Sequence, residues 1–278
     1  MKTILSIVLS LTMSLVVGSA CLTVERIVIE GSGDSQDLLR ELAKAYEKLH
    51  PGTHIEVPDT IGSIGGIRSA ANGKCDFGRT ARKLNDKEKV FNLNYVEFAY
   101  SPIVIIANID AKRPDNLSSG QIVDIFSGKL TSWDAIGGEK QPIYVVNRLA
   151  EESERIVLEQ NIPGFKEIKT FPGKVLYTTP EAVDVLQRFK NTIGYGHISM
   201  IVNSGLTVMK IDGIYPTIKN VQSGAYKYMA PFGLVWKGEL TGLAKGFLDF
   251  LFTKDAQAII TKYGTVPVPS KPDLKKMK

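Results

Sequence analysis

Apolar and polar positions follow two rhythms along this chain, and strand-like and helix-like stretches take turns through most of its length. Residues 24–29, which end in the apolar run Ile27-Val28-Ile29, read as a buried strand. Over residues 35–49, Leu38, Leu39, Leu42, Ala45, Tyr46 and Leu49 recur at the spacing of one helix face, and His50-Pro51-Gly52 stops the helix. Residues 53–57 read as a second strand and 65–72 as a second helix ended by Gly73. Asp76-Phe77-Gly78 then reads as a short strand end. That β-α-β-α-β order predicts an α/β fold with a parallel sheet and helices on its faces.

The stretch 96–108 is the most apolar beyond the N-terminus and predicts a central, extended crossing. Helices are predicted at 118–126, closed by Gly128, at 153–160, and at 180–190 with Pro180 at an early position. Strands are predicted at 142–147, 193–199 and 206–211. Residues 246–262 read as one terminal amphipathic helix, with Phe247, Phe250, Leu251, Ala258 and Ile259 on a face. No heptad, repeat or low-complexity tract stands out. No Pro/Gly/Ser linker divides the chain, so a second lobe is expected to be inserted rather than appended.

The first twenty residues change the picture of where the chain works. Lys2, the apolar run 4–17 and Gly18-Ser19-Ala20 have the layout of a cleavable export signal, and the run is short for a membrane span. Cys21 follows directly. Ser19-Ala20 suit lipidation of that cysteine, whereas Gly18 stands where a Leu-like residue is expected, so a lipid anchor and simple cleavage both stay open. The rest of the 278 residues suffices for one large α/β domain or two lobes of about 100–150 residues. With two cysteines in all, the core and not a disulfide framework must carry stability. The formal charge of +5 falls to +4 without Lys2, and the basic residues are scattered apart from the tail 271–278. A solvated basic surface accounts for this better than a nucleic-acid site, since aromatics do not alternate with the basic residues.

Chemistry points to two Gly/Ser loops, each just ahead of a predicted helix: Gly31-Ser32-Gly33-Asp34-Ser35 and Gly62-Ser63-Ile64-Gly65-Gly66. Such a turn bares backbone N–H groups and the positive end of the helix dipole, and serine adds hydroxyl donors. Two of them can converge on one small anion. There is no G-x-S-x-G elbow, P-loop or G-x-G-x-x-G motif. His50 and His54 are split by Pro51-Gly52 and cannot share the helix face a metal pair needs, and His197 stands alone as a structural histidine. No catalytic residue, metal site or cofactor is therefore assigned.

Eight segments in order resemble the phosphate-binding proteins of Pst-type ABC importers, within the type II periplasmic substrate-binding superfamily. They are GSGDS, GSIGGI, GKCDFGRTAR, LSSGQIVDIFSGKLTSWDAIGG, PIYVVNR, TPEAVDVLQRFKNTIGYG, DGIYPTIKNVQSGAYKYMAPFGLVWK and YGTVPVP. The resemblance implies an α/β, two-lobe periplasmic-binding-protein-like fold with two hinge crossings and a ligand cleft between the lobes. Lobe 1 would hold residues 22–100 plus 228–278, and lobe 2 the inserted residues 101–227. It implies an exported, monomeric solute-binding protein, periplasmic or membrane-anchored, that captures phosphate or a related small oxyanion. Closing on the ligand would present it to the permease subunits of an ABC importer, without bond chemistry.

Residue by residue, the resemblance places Gly33, Asp34 and Ser35 of the first loop at the ligand, with Ser63 of the second. A plain helix cap is the alternative for Ser63. Asp76 matches an aspartate that accepts a hydrogen bond from protonated phosphate and repels sulfate, against a turn-forming role. Arg148 matches an arginine that forks onto the anion, against a surface ion pair with Glu151 or Glu152. The chain then departs from the family. Where relatives carry Gly-Ser-Gly-Thr, this chain has Glu151-Glu152-Ser153-Glu154-Arg155, leaving Ser153 as the hydroxyl of that loop. Carboxylates about 4 Å from a phosphate each cost roughly 1–4 kcal/mol, set against about 8 kcal/mol for micromolar affinity. Arg79, Arg82 and Arg155 can offset them, a glutamate can itself fill the anion position, or the glutamates can face solvent. Retained phosphate-like binding, a different ligand and a degenerate anion site in a sensor or interaction module all stay open.

Overall fold

The structure, a computed structural model, describes residues 24–109 and 114–272. The export signal, Cys21 and the tail beyond residue 272 lie outside the described residues.

The first unit runs β1 (Glu25–Gly31), α1 (Gln36–Leu49), β2 (Thr53–Glu56), α2 (Gly62–Ala71) and β3 (Phe77–Thr80), as the sequence pattern predicts. β1 pairs in parallel with both β2 and β3. α1 packs Leu38, Leu39, Leu42 and Tyr46 inward at helical spacing. Then comes β4 (Asn94–Asn108), which is the axis of the molecule. Beyond it follow β5 (Asn116–Leu117), α3 (Ser119–Phe126), β6 (Tyr144–Arg148), α4 (Ser153–Asn161), β7 (Lys174–Leu176), α5 (Thr179–Arg188), β8 (Thr192–His197), β9 (Thr207–Ile211) and α6 (Ile218–Gln222). The chain returns through β10 (Met229–Trp236), α7 (Gly242–Phe250), α8 (Lys254–Lys262) and β11 (Val266–Pro267).

Strand order is β2-β1-β3-β10-β4-β8-β6-β7. The N-terminal half of β4 pairs antiparallel with β10 and β11, and its C-terminal half pairs antiparallel with β8 and β9. A single strand thus feeds two apolar cores. Val96, Phe98 and Ala99 join the core built on β1 and α1, whereas Ile103 to Ala107 join the core built on α3, β6 and β8. β10 does the same, with Ala230 in the second core and Phe232, Leu234 and Trp236 in the first. The two-lobe architecture rests on these two crossings.

Two expectations need correction. The terminal helix is two helices, α7 and α8, because the Thr253 hydroxyl accepts from the Ala256 N–H and starts a new helix. α2 begins at Gly62, so Ser63 lies inside its first turn rather than ahead of it. β10 is not among the predicted strands; it contains Pro231 and Gly233 and carries a register shift between Phe232 and Gly233. Among the described residues, no helix is long and apolar enough to cross a membrane.

Candidate functional site

Where the two lobes meet, four chain segments bring a buried polar group together: the β1–α1 loop, the β6–α4 turn, the start of α5 and the end of β8. The β1–α1 loop can exist only with glycine at residue 31. Its φ is +136°, and a Cβ there would lie 2.2 Å from the Arg79 carbonyl oxygen. That close approach turns Ser32, Asp34 and Ser35 into the interior, each at most 3 % exposed.

Asp34 is gripped from both lobes. Its Oδ2 accepts from the Ser32 hydroxyl at 2.8 Å, and its Oδ1 accepts from the Thr179 hydroxyl. Its carbonyl accepts from the Ser199 hydroxyl at 2.8 Å. Burial pushes this carboxyl up, but the charges of His197 and Arg148 and the hydrogen bonds from Thr179 and Ser32 outweigh it, leaving Asp34 below the usual carboxylate range.

Arg148, at the end of β6, is buried and spends its fork on this group. Nε donates to Glu154 Oε1 at 2.8 Å, Nη1 to the Leu176 carbonyl at 3.1 Å, and Nη2 to the Thr179 hydroxyl at 3.2 Å. Glu152 Oε2 lies 3.4 Å from Nη2. Burial works against the guanidinium charge, but Glu154, Asp34 and Glu152 more than restore it and raise the pKa. Glu152 pays for its position: burial and then the neighbouring Glu154 charge push it up to about 7, against the pull of Arg148.

Glu154 and His197 complete the group, both fully buried. The Ser153 hydroxyl lies 2.9 Å from His197 Nε2 and donates to Glu154 Oε2 at 3.2 Å. His197 Nε2 is 3.6 Å from Asp34 Oδ2 and 3.9 Å from Glu154 Oε2. The Ser35 hydroxyl and His197 Nδ1 are buried without a partner. A mixed assembly of hydroxyls, one guanidinium, one imidazole and carboxylates from both lobes offers donors and acceptors to a small polar species.

The structure therefore brings together Gly33, Asp34, Ser35, Arg148 and Ser153 of the predicted residues, with Gly33 seated against Pro180 and Thr60. Other predictions do not join them. Asp76 is exposed and accepts from the Val28 N–H at 2.8 Å in the sheet, three positions before the Gly31–Arg79 pairing. The Ser63 hydroxyl accepts from the Ala81 N–H at 3.2 Å. Arg79 is fully buried and donates to the Ser32, Pro58 and Ile29 carbonyls and the Gln36 side chain. It braces the first loop and does not face an anion; burial and then the Arg40 charge bring its pKa down to about 10. Arg82 is taken by Glu88 at 2.7 Å, and Arg155 by Glu159 at 2.9 Å and the Phe171 ring, so neither offsets the glutamates. Nor does Glu154 face solvent. Sequence reasoning missed Thr179, Ser199 and the role of His197. Only Thr179 carried a signal, as a hydroxyl at a Pro-marked helix start.

Two α/β lobes joined by crossing strands, with a buried polar group held between them, define the bilobal class of substrate-binding proteins. The chain belongs to the PBP superfamily: the PBP superfamily domain matches residues 19–255. A protein described as a phosphate ABC transporter substrate-binding protein from Clostridium perfringens, solved with bound phosphate, is 31% identical. It superposes with a TM-score of 0.78 over 88% of this chain and 100% of that one. The phosphate-binding protein PstS of Bacillus subtilis is 28% identical over 87% of this chain and 80% of its own length. PstS of Borreliella burgdorferi is 24% identical over 95% of this chain and 98% of its own.

Proposed function

We propose that this chain is an extracytoplasmic solute-binding protein that captures phosphate or a related small oxyanion and hands it to the permease subunits of an ABC importer. The observation that carries this reading is Arg148. A buried guanidinium sits at the lobe junction, with the Thr179 hydroxyl on Nη2 and the Ser153 hydroxyl on its partner Glu154, on a fold shared with phosphate-binding relatives. A planar fork and hydroxyl donors suit a tetrahedral oxyanion. The lobes, residues 22–100 plus 228–278 and residues 101–227, close about the two crossings. The protein acts as a monomer by binding and handover, without catalysis. It is held outside the cytoplasmic membrane, free or through Cys21.

One observation favours a second reading. Glu154 already lies on Arg148 as an internal carboxylate in place of the anion. On that reading the chain is a sensor or interaction module with a degenerate anion site. Calorimetric titration of ligand-stripped protein with phosphate at pH 7, with sulfate as control, separates the two. Micromolar binding of phosphate without a sulfate response supports the importer reading, and the absence of heat and of any thermal shift moves it to the second.

A further inference from the structure

We propose that Asp34, Glu154 and His197 form a binding site for a divalent transition-metal ion. One ligand atom from each lies within 4.8 Å of the other two, and all three side chains are buried. The set mixes an imidazole with two carboxylates, which is a metal-ligand combination and not a cluster of acids alone. No cysteine contributes, so the donors suit Mn2+, Co2+ or Zn2+, and the imidazole favours these over Mg2+ or Ca2+.

The atoms around the three residues hold them as ligands are held. Asp34 Oδ1 is engaged by Thr179, and Glu154 Oε1 by Arg148 at 2.8 Å. The second oxygens, Asp34 Oδ2 and Glu154 Oε2, turn toward His197 Nε2 at 3.6 and 3.9 Å, and each also accepts from a hydroxyl, Ser32 at 2.8 Å and Ser153 at 3.2 Å. Outer partners on ligating carboxylates fix orientation in this way. His197 is wholly buried and aims Nε2 into the group, where it meets the Ser153 hydroxyl at 2.9 Å, while Nδ1, on the other side of the ring, has no partner. At present the Ser153 hydroxyl bridges Nε2 and Oε2. An ion about 2.0–2.2 Å from each donor replaces that bridge and draws the three together slightly. Its charge balances the two carboxylates. Arg148 is the cation that opposes it, and Glu152, 3.4 Å from that guanidinium, offsets the repulsion.

The test is calorimetry on the full chain after dialysis against EDTA, in phosphate-free buffer, with Mn2+, Co2+ and Zn2+ in turn. The expected result is one saturable site per chain for at least one ion. Asp34→Asn and His197→Gln each weaken it at least tenfold, while His54→Gln, on the exposed surface, leaves it unchanged. No saturable binding of any of the three ions overturns the proposal, as does binding that both site variants retain. If those variants fail to fold, X-ray absorption of the wild-type complex decides, and a coordination shell lacking imidazole overturns it. Phosphate titrated into the metal-free protein is a separate arm. Phosphate binding without metal binding removes this site and leaves the oxyanion reading, and the reverse outcome does the opposite.

Discussion

Glu154 Oε1 accepts from Arg148 Nε at 2.8 Å, with neither side chain more than 2 % exposed. The pair brackets the turn between β6 and α4. A buried guanidinium stripped of its partner is costly, so the carboxylate stabilises the closed group while competing with any incoming anion. The same contact therefore bears on both stability and ligand choice.

Replacing Glu154 by Gln separates those two effects. The variant is expected to lose about 2–3 kcal/mol of stability, since Arg148 keeps only Glu152 and Asp34 as nearby anions. Phosphate affinity is expected to rise at least tenfold as the competing charge disappears. Denaturant melts and calorimetry read the two quantities, and a drop in phosphate affinity would count against an internal competitor.

Glu152 makes stability fall as pH rises. Its ordinary value is 4.5 and its folded value about 7, so the folded chain holds a proton that the unfolded chain releases. The resulting penalty is absent below 4.5, grows between 4.5 and 7, and is complete above 7. Its size is about 1–3 kcal/mol. Glu152→Gln is expected to raise Tm at pH 8 by about 3–8 °C and to change little at pH 4.5. Equal shifts at both pH values would show that the carboxyl is not desolvated.

Arg79 is expected to behave as a brace and not as a ligand. Arg79→Ala strands the carbonyls of Ile29, Ser32 and Pro58, which costs about 3–5 kcal/mol. A variant of wild-type stability with ligand affinity lost would instead make Arg79 an anion contact.

Asp76→Ala tests the opposite assignment. Its carboxylate serves the Val28 N–H at an exposed position, so a stability loss of about 1 kcal/mol is expected. Phosphate and sulfate titrations should match wild type within twofold. A variant that gains sulfate binding would return Asp76 to the cleft.

Gly31→Ala should be among the most damaging single changes. The added methyl meets the Arg79 carbonyl oxygen at 2.2 Å, at a φ of +136°. A loss of about 3 kcal/mol or more is expected. Thermal melts check it, and a variant within 1 kcal/mol of wild type would mean that β1 and β3 separate easily.

Local pattern decided most of the architecture. The helix face of α1, the β-α-β-α-β opening and the apolar run of β4 are set by neighbours a few residues apart, so the chain declares them. Motif order carried the two-lobe fold as well, and it singled out the Gly33–Ser35 loop, Arg148 and Ser153, which the fold brings together in one buried polar group. What the chain could not declare is how side chains from distant segments satisfy one another. Arg79 reads as an available cation, yet a close approach of β1 and β3 surrounds it with carbonyls. Glu154 reads equally as a solvated helix-start acid or as an internal carboxylate at the anion position, and only the tertiary structure buries it on Arg148. His197 reads as a lone histidine, and only the packing of β8 against the Asp34 loop makes it part of a group. Charge and hydrogen-bond partners separated by more than a hundred residues, as Asp34 and Thr179 are, belong to the tertiary structure because their energies depend on burial and distance. Sequence order fixes neither.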